Sequence, residues 1–176
     1  MKFNTKLLHG NKMGDANTGA TLTPVYQSSA FYQPSAEQHE KLFHNKATGF
    51  SYTRINNPTI LAFEERMTTL EGGIASVACA SGMAAITNAL LNVVTCGQEI
   101  VASTSLYGGS IDVFHDFEAF GIKTVFVDIS DVNAVEAAIN ENTRVIFAET
   151  IGNPKLDVVD IEALAKLAHQ HDLPLV

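Results

Sequence analysis

Cysteine is scarce in this sequence, and basic residues are in the minority. The two cysteines, Cys79 and Cys96, stand far apart and belong to no C-x-x-C. That spacing argues against a disulfide framework and a structural zinc site, and a reducing cytoplasm is the simplest location. Lys and Arg number 11 against 19 Asp and Glu, a formal net charge of −8, which argues against a nucleic-acid backbone as partner. No run reaches the roughly 18 apolar residues of a membrane span. The N-terminal MKFNTKLLHG has two lysines but lacks the apolar stretch of a secretory signal. The histidines are also unhelpful as ligands. His169 and His171 are two apart on a helical pattern and do not face each other, and the others lack partners at metal-ligand spacing.

What is present suits one globular domain: 176 residues, 46% of them hydrophobic. Residues 1–57 read as an irregular polar arm with scattered aromatics. An arm that long within a compact domain suggests contact with a partner subunit, or else a loop wrapped over its own domain. Regular patterning starts at Asn57, an N-cap followed by Pro58 at the first helical position. Ile60, Phe63, Met67 and Leu70 share one helical face, and Gly72-Gly73 stops the helix. Beyond it the sequence alternates. IASVACA, EIVAST, KTVFVDI and RVIFAET read as strands, and a helical pattern follows each, the last over DVVDIEALAKLAHQH; the Glu64-Glu65 pair reads as a wet helix side. LPLV opens a fifth strand. This is the pattern of a parallel α/β sheet, in which ligands gather beyond the carboxyl ends of the strands.

Four stretches could carry chemistry there or in the arm. In CASGMAA, Ser81, Gly82 and Met83 begin a helix whose free N–H groups could hold an anion such as phosphate, or Ser81 is only a cap. In SYTRINNPT, Tyr52 and Arg54 lie two apart in an extended segment and could grip a phosphate or carboxylate together, or are an ordinary surface pair. Tyr107 in SLYGGS could stack on a planar ligand and move a proton, or plug the sheet edge. Glu149 and Asn153 in AETIGNP share one rim, or serve a turn and the solvent.

Taken in order, YTRINNPT, EGG…ASGMAAI, SLYGGS and ETIGNP…DVVDIEALAKLAH resemble the Cys/Met-metabolism family of pyridoxal-phosphate enzymes, together with LHG and TPVYQSSAF nearer the start. Within that family the blocks most resemble O-acetylhomoserine sulfhydrylases, with cystathionine synthases and lyases and methionine γ-lyases close by. The resemblance implies an incomplete PLP-dependent transferase fold of the aspartate-aminotransferase type (fold type I), mostly parallel, with residues 1–57 as an inter-subunit arm and residues 58–176 as part of the cofactor-binding domain. It also implies pyridoxal 5'-phosphate as cofactor, O-acyl-homoserine with sulfide or a thiol as substrates, and a homo-oligomer, a tetramer built of dimers whose subunits share active sites.

The same resemblance gives the residues roles. Ser81, Gly82 and Met83 would hold the cofactor phosphate, and Tyr52 and Arg54 would reach it from a neighbouring subunit. Tyr107 would stack on the pyridine ring, Asn153 would lie near its 3-hydroxyl, and Glu149 would sit at the same rim. Tyr107 and Tyr52 would assist catalysis. The family's cofactor-bearing lysine and the carboxylate on its pyridine nitrogen have no counterpart among these residues. The expectation is therefore an N-terminal portion of the enzyme, inactive alone, which as a bare module would bind phosphate weakly at most and self-associate through an open sheet edge.

Overall fold

The structure, a computed structural model, describes residues 2–9, 14–15 and 17–176. Gly10 of the LHG stretch lies outside the described residues. The chain forms two compact units, one ending at Ala78 and the other running Cys79–Val176.

The second unit is built on three parallel strands, β1 (Glu99–Ser103), β2 (Lys123–Val127) and β3 (Thr143–Phe147), in the order β2-β1-β3. Alternation along them decides which face each residue serves. Ile100, Ala102, Val145 and Phe147 point to one side, where they pack with Leu90 of helix α4 (Gly82–Leu91) and with Phe114 and Phe117 of α5 (Gly108–Glu118). Val101 and Ile146 point to the other, against Val135 of α6 (Val132–Ala138) and Leu164, Leu167 and Ala168 of α7 (Ile161–Gln170). Helices on both faces explain why β1 reads as a nearly unbroken apolar run. Phe114 is fully buried and sets its ring 5.1 Å from Phe147 and 6.0 Å from Phe126, edge to face. The closing LPLV lies parallel beside β3, bridged through Ile146 and Leu175. Ile146 N–H donates to Pro174 O, and the N–H groups of Val176 and Ala148 continue the ladder.

Several expectations need correction. IASVACA is not a strand: Ile74 is fully exposed and Val77 is 83% exposed, and no strand pairs with the segment among the described residues. An apolar run becomes a strand only when a neighbour takes its backbone groups. Here Ala78 N–H goes to a carboxylate oxygen of Glu64 at 2.8 Å, so Glu64 is not simply the wet side of its helix. The last helix begins at Ile161 rather than at Asp157, because Val158 bridges to Ile151 and Asp160 caps the helix.

The arm, finally, is not wholly irregular. It contains α1 (Phe3–His9) and α2 (Ala36–Phe43), the latter capped by Ser35, which accepts from Gln38 N–H at 3.1 Å. The Ser-x-x-Gln spacing is a helix-start signal that the polar composition obscured.

The Asn57–Pro58 start and Gly72 stop are as the sequence implies. Helix α3 runs Pro58–Glu71, with Asn57 accepting from Thr59 N–H and Gly72 in the left-handed region at φ 66°. None of α1, α2 or α3 buries a residue.

Candidate functional site

The candidate residues form two groups, one in each unit. In the second unit they gather at the carboxyl rim of the sheet. Residues 92–98 join helix α4 to β1, and Leu90 of α4 packs on the same face of the sheet as Ile100 and Ala102. Ser81 caps the helix, its hydroxyl accepting from Ala84 N–H at 3.1 Å. The N–H groups of Gly82 and Met83 have no intrahelical acceptor, as at any helix start. A side chain added at Gly82 would meet open space. The turn is therefore unobstructed, polar and at the positive end of a helix, which suits an anion.

Tyr107 leaves the end of β1 and begins α5, its side chain half exposed. Its ring lies over Gly109, where a Cβ would come within 2.6 Å of the ring. Tyr107 gives α5 no side-chain cap, and the first turn of α5 holds no acidic residue. Glu149, at the exit of β3, fills that gap. Its two carboxylate oxygens accept from Tyr107 N–H at 3.1 and 3.0 Å, and one of them also accepts from the Ser110 hydroxyl at 3.0 Å. Ser110 is fully buried, so this bond satisfies an otherwise stranded hydroxyl.

The loop after Glu149 folds back on itself through an Ile151–Val158 bridge, with a cis peptide at Asn153-Pro154. Asp157 in this loop accepts from the Ser105 hydroxyl at 2.6 Å. Gly152 packs beneath it, and a side chain there would meet the Asp157 carboxylate and the Ser105 hydroxyl. Asn153 is carried at the exposed tip.

In the first unit, Tyr52 and Arg54 do meet, but not by the extended geometry expected. Tyr52 bridges to Ala30, and the chain then turns, Ile55 and Asn56 N–H groups both donating to Tyr52 O. The turn brings the Arg54 guanidinium carbon 5.1 Å from the Tyr52 ring centroid. Among the described residues no carboxylate pairs with Arg54, and both side chains are exposed.

The structure thus joins Tyr107 to Glu149, and Tyr52 to Arg54, and keeps Ser81, Gly82 and Met83 contiguous. Ser105, Gly109, Ser110, Gly152 and Asp157 were not singled out from the sequence. The paired glycines before Ser110 were the one available signal.

An open parallel sheet with a helix start free to take an anion and an exposed aromatic side chain beyond a strand end is an α/β domain suited to a phosphate-bearing planar ligand. Comparison with known proteins makes that specific. The family model for Cys/Met metabolism PLP-dependent enzymes matches residues 4–176, and the chain belongs to that family.

Over 176 residues it is 45% identical to the O-acetyl-L-homoserine sulfhydrylase of Leptospira meyeri, covering 99% of this chain and 40% of that protein. It is 42% identical over 159 residues to the L-methionine gamma-lyase of Fusobacterium nucleatum subsp. polymorphum, covering 90% of this chain and 40% of that protein. A solved Campylobacter jejuni protein described as an O-acetylhomoserine (thiol)-lyase, carrying a pyridoxyl-lysine phosphate adduct, superposes with a TM-score of 0.91 at 32% identity, over 99% of this chain and 43% of that one. The cystathionine gamma-lyase of Lactobacillus plantarum, solved with L-serine, gives 0.87 at 41% identity, over 99% and 44%. The chain spans about 40% of the length of the curated relatives it matches. Among the described residues no helix is long and apolar enough to cross a membrane.

Proposed function

We propose that the complete protein carrying this chain is an O-acetylhomoserine sulfhydrylase, which replaces the acetate on Cγ of O-acetylhomoserine with sulfide or a thiol to give homocysteine or methionine. The observation that carries this reading is the 45% identity over 99% of the chain to a sulfhydrylase. Pyridoxal phosphate, when bound, supplies the electron sink that makes the substrate Cα–H acidic.

This chain's own residues then bind and orient. The Gly82 and Met83 N–H groups, beside Ser81, would hold the phosphate at the positive end of α4. Tyr107 would offer its ring as a stacking face and its Oη as a proton carrier. Asn153 would present its amide from the loop tip. Tyr52 and Arg54 would act from a partner subunit, their mutual stacking holding the guanidinium ready for the phosphate. The exposed aromatic side chains of residues 1–57, Tyr32 at 91% and Phe43 at 59%, support an arm that packs on that partner. A cytoplasmic homotetramer would suit this sharing.

A lyase reading is the second candidate, favoured by the 42% identity to a methionine gamma-lyase. Incubation of the complete protein with O-acetylhomoserine and sulfide separates the two. Homocysteine is the expected product, and 2-oxobutyrate released from methionine or cystathionine, without homocysteine, moves the protein to the lyase branch. The 176 residues expressed alone are expected to show no turnover; borohydride-trappable cofactor together with turnover would overturn that expectation.

A further inference from the structure

We infer that Glu149 is a positioning residue for Tyr107, acting through the backbone and not as a contact to cofactor or substrate. The inference deepens the reading above and rests on it for the role of Tyr107. Three observations carry it. Helix α5 supplies no cap of its own and no acid in its first turn, yet its first N–H must be satisfied at a rim that positions a functional ring. Both oxygens of Glu149 are turned to that terminus, at 3.1 and 3.0 Å from Tyr107 N and 3.0 Å from the buried Ser110 hydroxyl. The Tyr107 ring is then berthed over Gly109, whose missing Cβ leaves the room. The carboxylate complements the positive end of the helix and ties the exit of β3 to the exit of β1. A second tie, Ser105 to Asp157, joins the same two exits without touching Tyr107. Tyr107 is thus held at its amide by Glu149, with its ring lying over Gly109.

Chemistry distinguishes this from a direct role. A glutamine at 149 keeps a carbonyl oxygen for Tyr107 N–H, and its amide can donate to Ser110 Oγ, so a purely positioning role survives loss of charge. The test is kinetics and hydrogen exchange on the complete protein. Glu149→Ala is expected to lower kcat/KM by on the order of 100-fold, chiefly through kcat. Glu149→Gln is expected to recover all but a few-fold of it. In a Tyr107→Ala background, Glu149→Ala should add less than about threefold, because the two act as one unit. Independently of any activity, the Tyr107 amide in the cofactor-free protein should exchange at least about tenfold faster in Glu149→Ala than in Glu149→Gln.

Equal damage from Ala and Gln, or additive effects with Tyr107→Ala, overturns the inference and makes Glu149 a charged contact at the reacting atoms. Unchanged exchange at Tyr107 overturns it as well. If the complete protein has neither sulfhydrylase nor lyase activity, the functional reading fails, and the exchange comparison still decides whether Glu149 holds Tyr107. Glu149→Gln guards against a misfolded alanine variant.

Discussion

The two units have similar sequence ingredients and opposite outcomes. Every buried hydrophobic residue among those described, from Leu90 to Ala168, belongs to the second unit. In the first, Phe3, Leu8, Tyr32, Phe43, Ile55 and Phe63 are all more than half exposed, and the one buried residue among those described is the polar Asn57. The second unit has strands that pair and helices that cover both faces, so its apolar residues find each other. Among its described residues the first has three helices and no sheet, and backbone and side-chain hydrogen bonds hold it: Asn57 to Tyr26 O and Thr53, Gln33 to Phe50 O, Arg66 to Leu7 O. Apolar content does not make a core; elements able to enclose it do.

The largest expected effect breaks the second unit. Phe114→Ala removes a ring packed against Phe117, Phe126 and Phe147, and should lower the unfolding free energy by about 3–5 kcal/mol in urea titration. Phe63→Ala in the first unit should change it by under about 0.5 kcal/mol in the isolated chain. Comparable losses at both sites would erase the contrast.

Next in size is Asn57→Ala. It removes the cap of α3 and leaves Tyr26 O and Thr53 Oγ1 without their donor, so a loss of about 1–2 kcal/mol is expected, the largest for a side-chain truncation in the first unit. Circular dichroism of the melting transition would read it.

The smallest effect sharpens the comparison by pH. Hydrogen bonds from Asn140 and then Lys123 hold the Glu99 carboxyl below the usual carboxylate range. A depressed folded value stabilises at pH above the unfolded carboxylate value, and the contribution disappears as pH falls through the folded one. Glu99→Gln should cost about 1 kcal/mol at neutral pH and flatten the acid limb of the stability curve of the second unit. An unchanged acid limb would remove Glu99 from the account.

Local chemistry made much of this legible. The helix Pro58–Glu71 was readable from Asn57-Pro58 at its start and Gly72 at its end, because caps act within a turn. Three of the four strands expected before LPLV were readable from apolar runs between helical patterns. Ser81, Gly82 and Met83 stand at a helix start and Tyr107 between a strand and a helix, positions that local patterning makes visible. The Tyr52–Arg54 pairing was foreseen in partnership but not in form, since the turn closing onto Tyr52 O is set by the pairing of Tyr52 with Ala30. The strand at IASVACA failed because its composition says nothing about whether a neighbour exists.

By itself, then, the sequence determined the alternating parallel α/β class, the capped helix starts and the ordered blocks that mark the family. These depend on residues within a few positions of each other. Tertiary structure alone decided that Glu149 caps the helix after Tyr107, 42 residues away, and that Asp157 takes the Ser105 hydroxyl across 52. It also decided that Gly152 must lack a side chain. Such contacts form only when two strand exits come side by side in the folded sheet, and no local pattern in the chain encodes which exits those are.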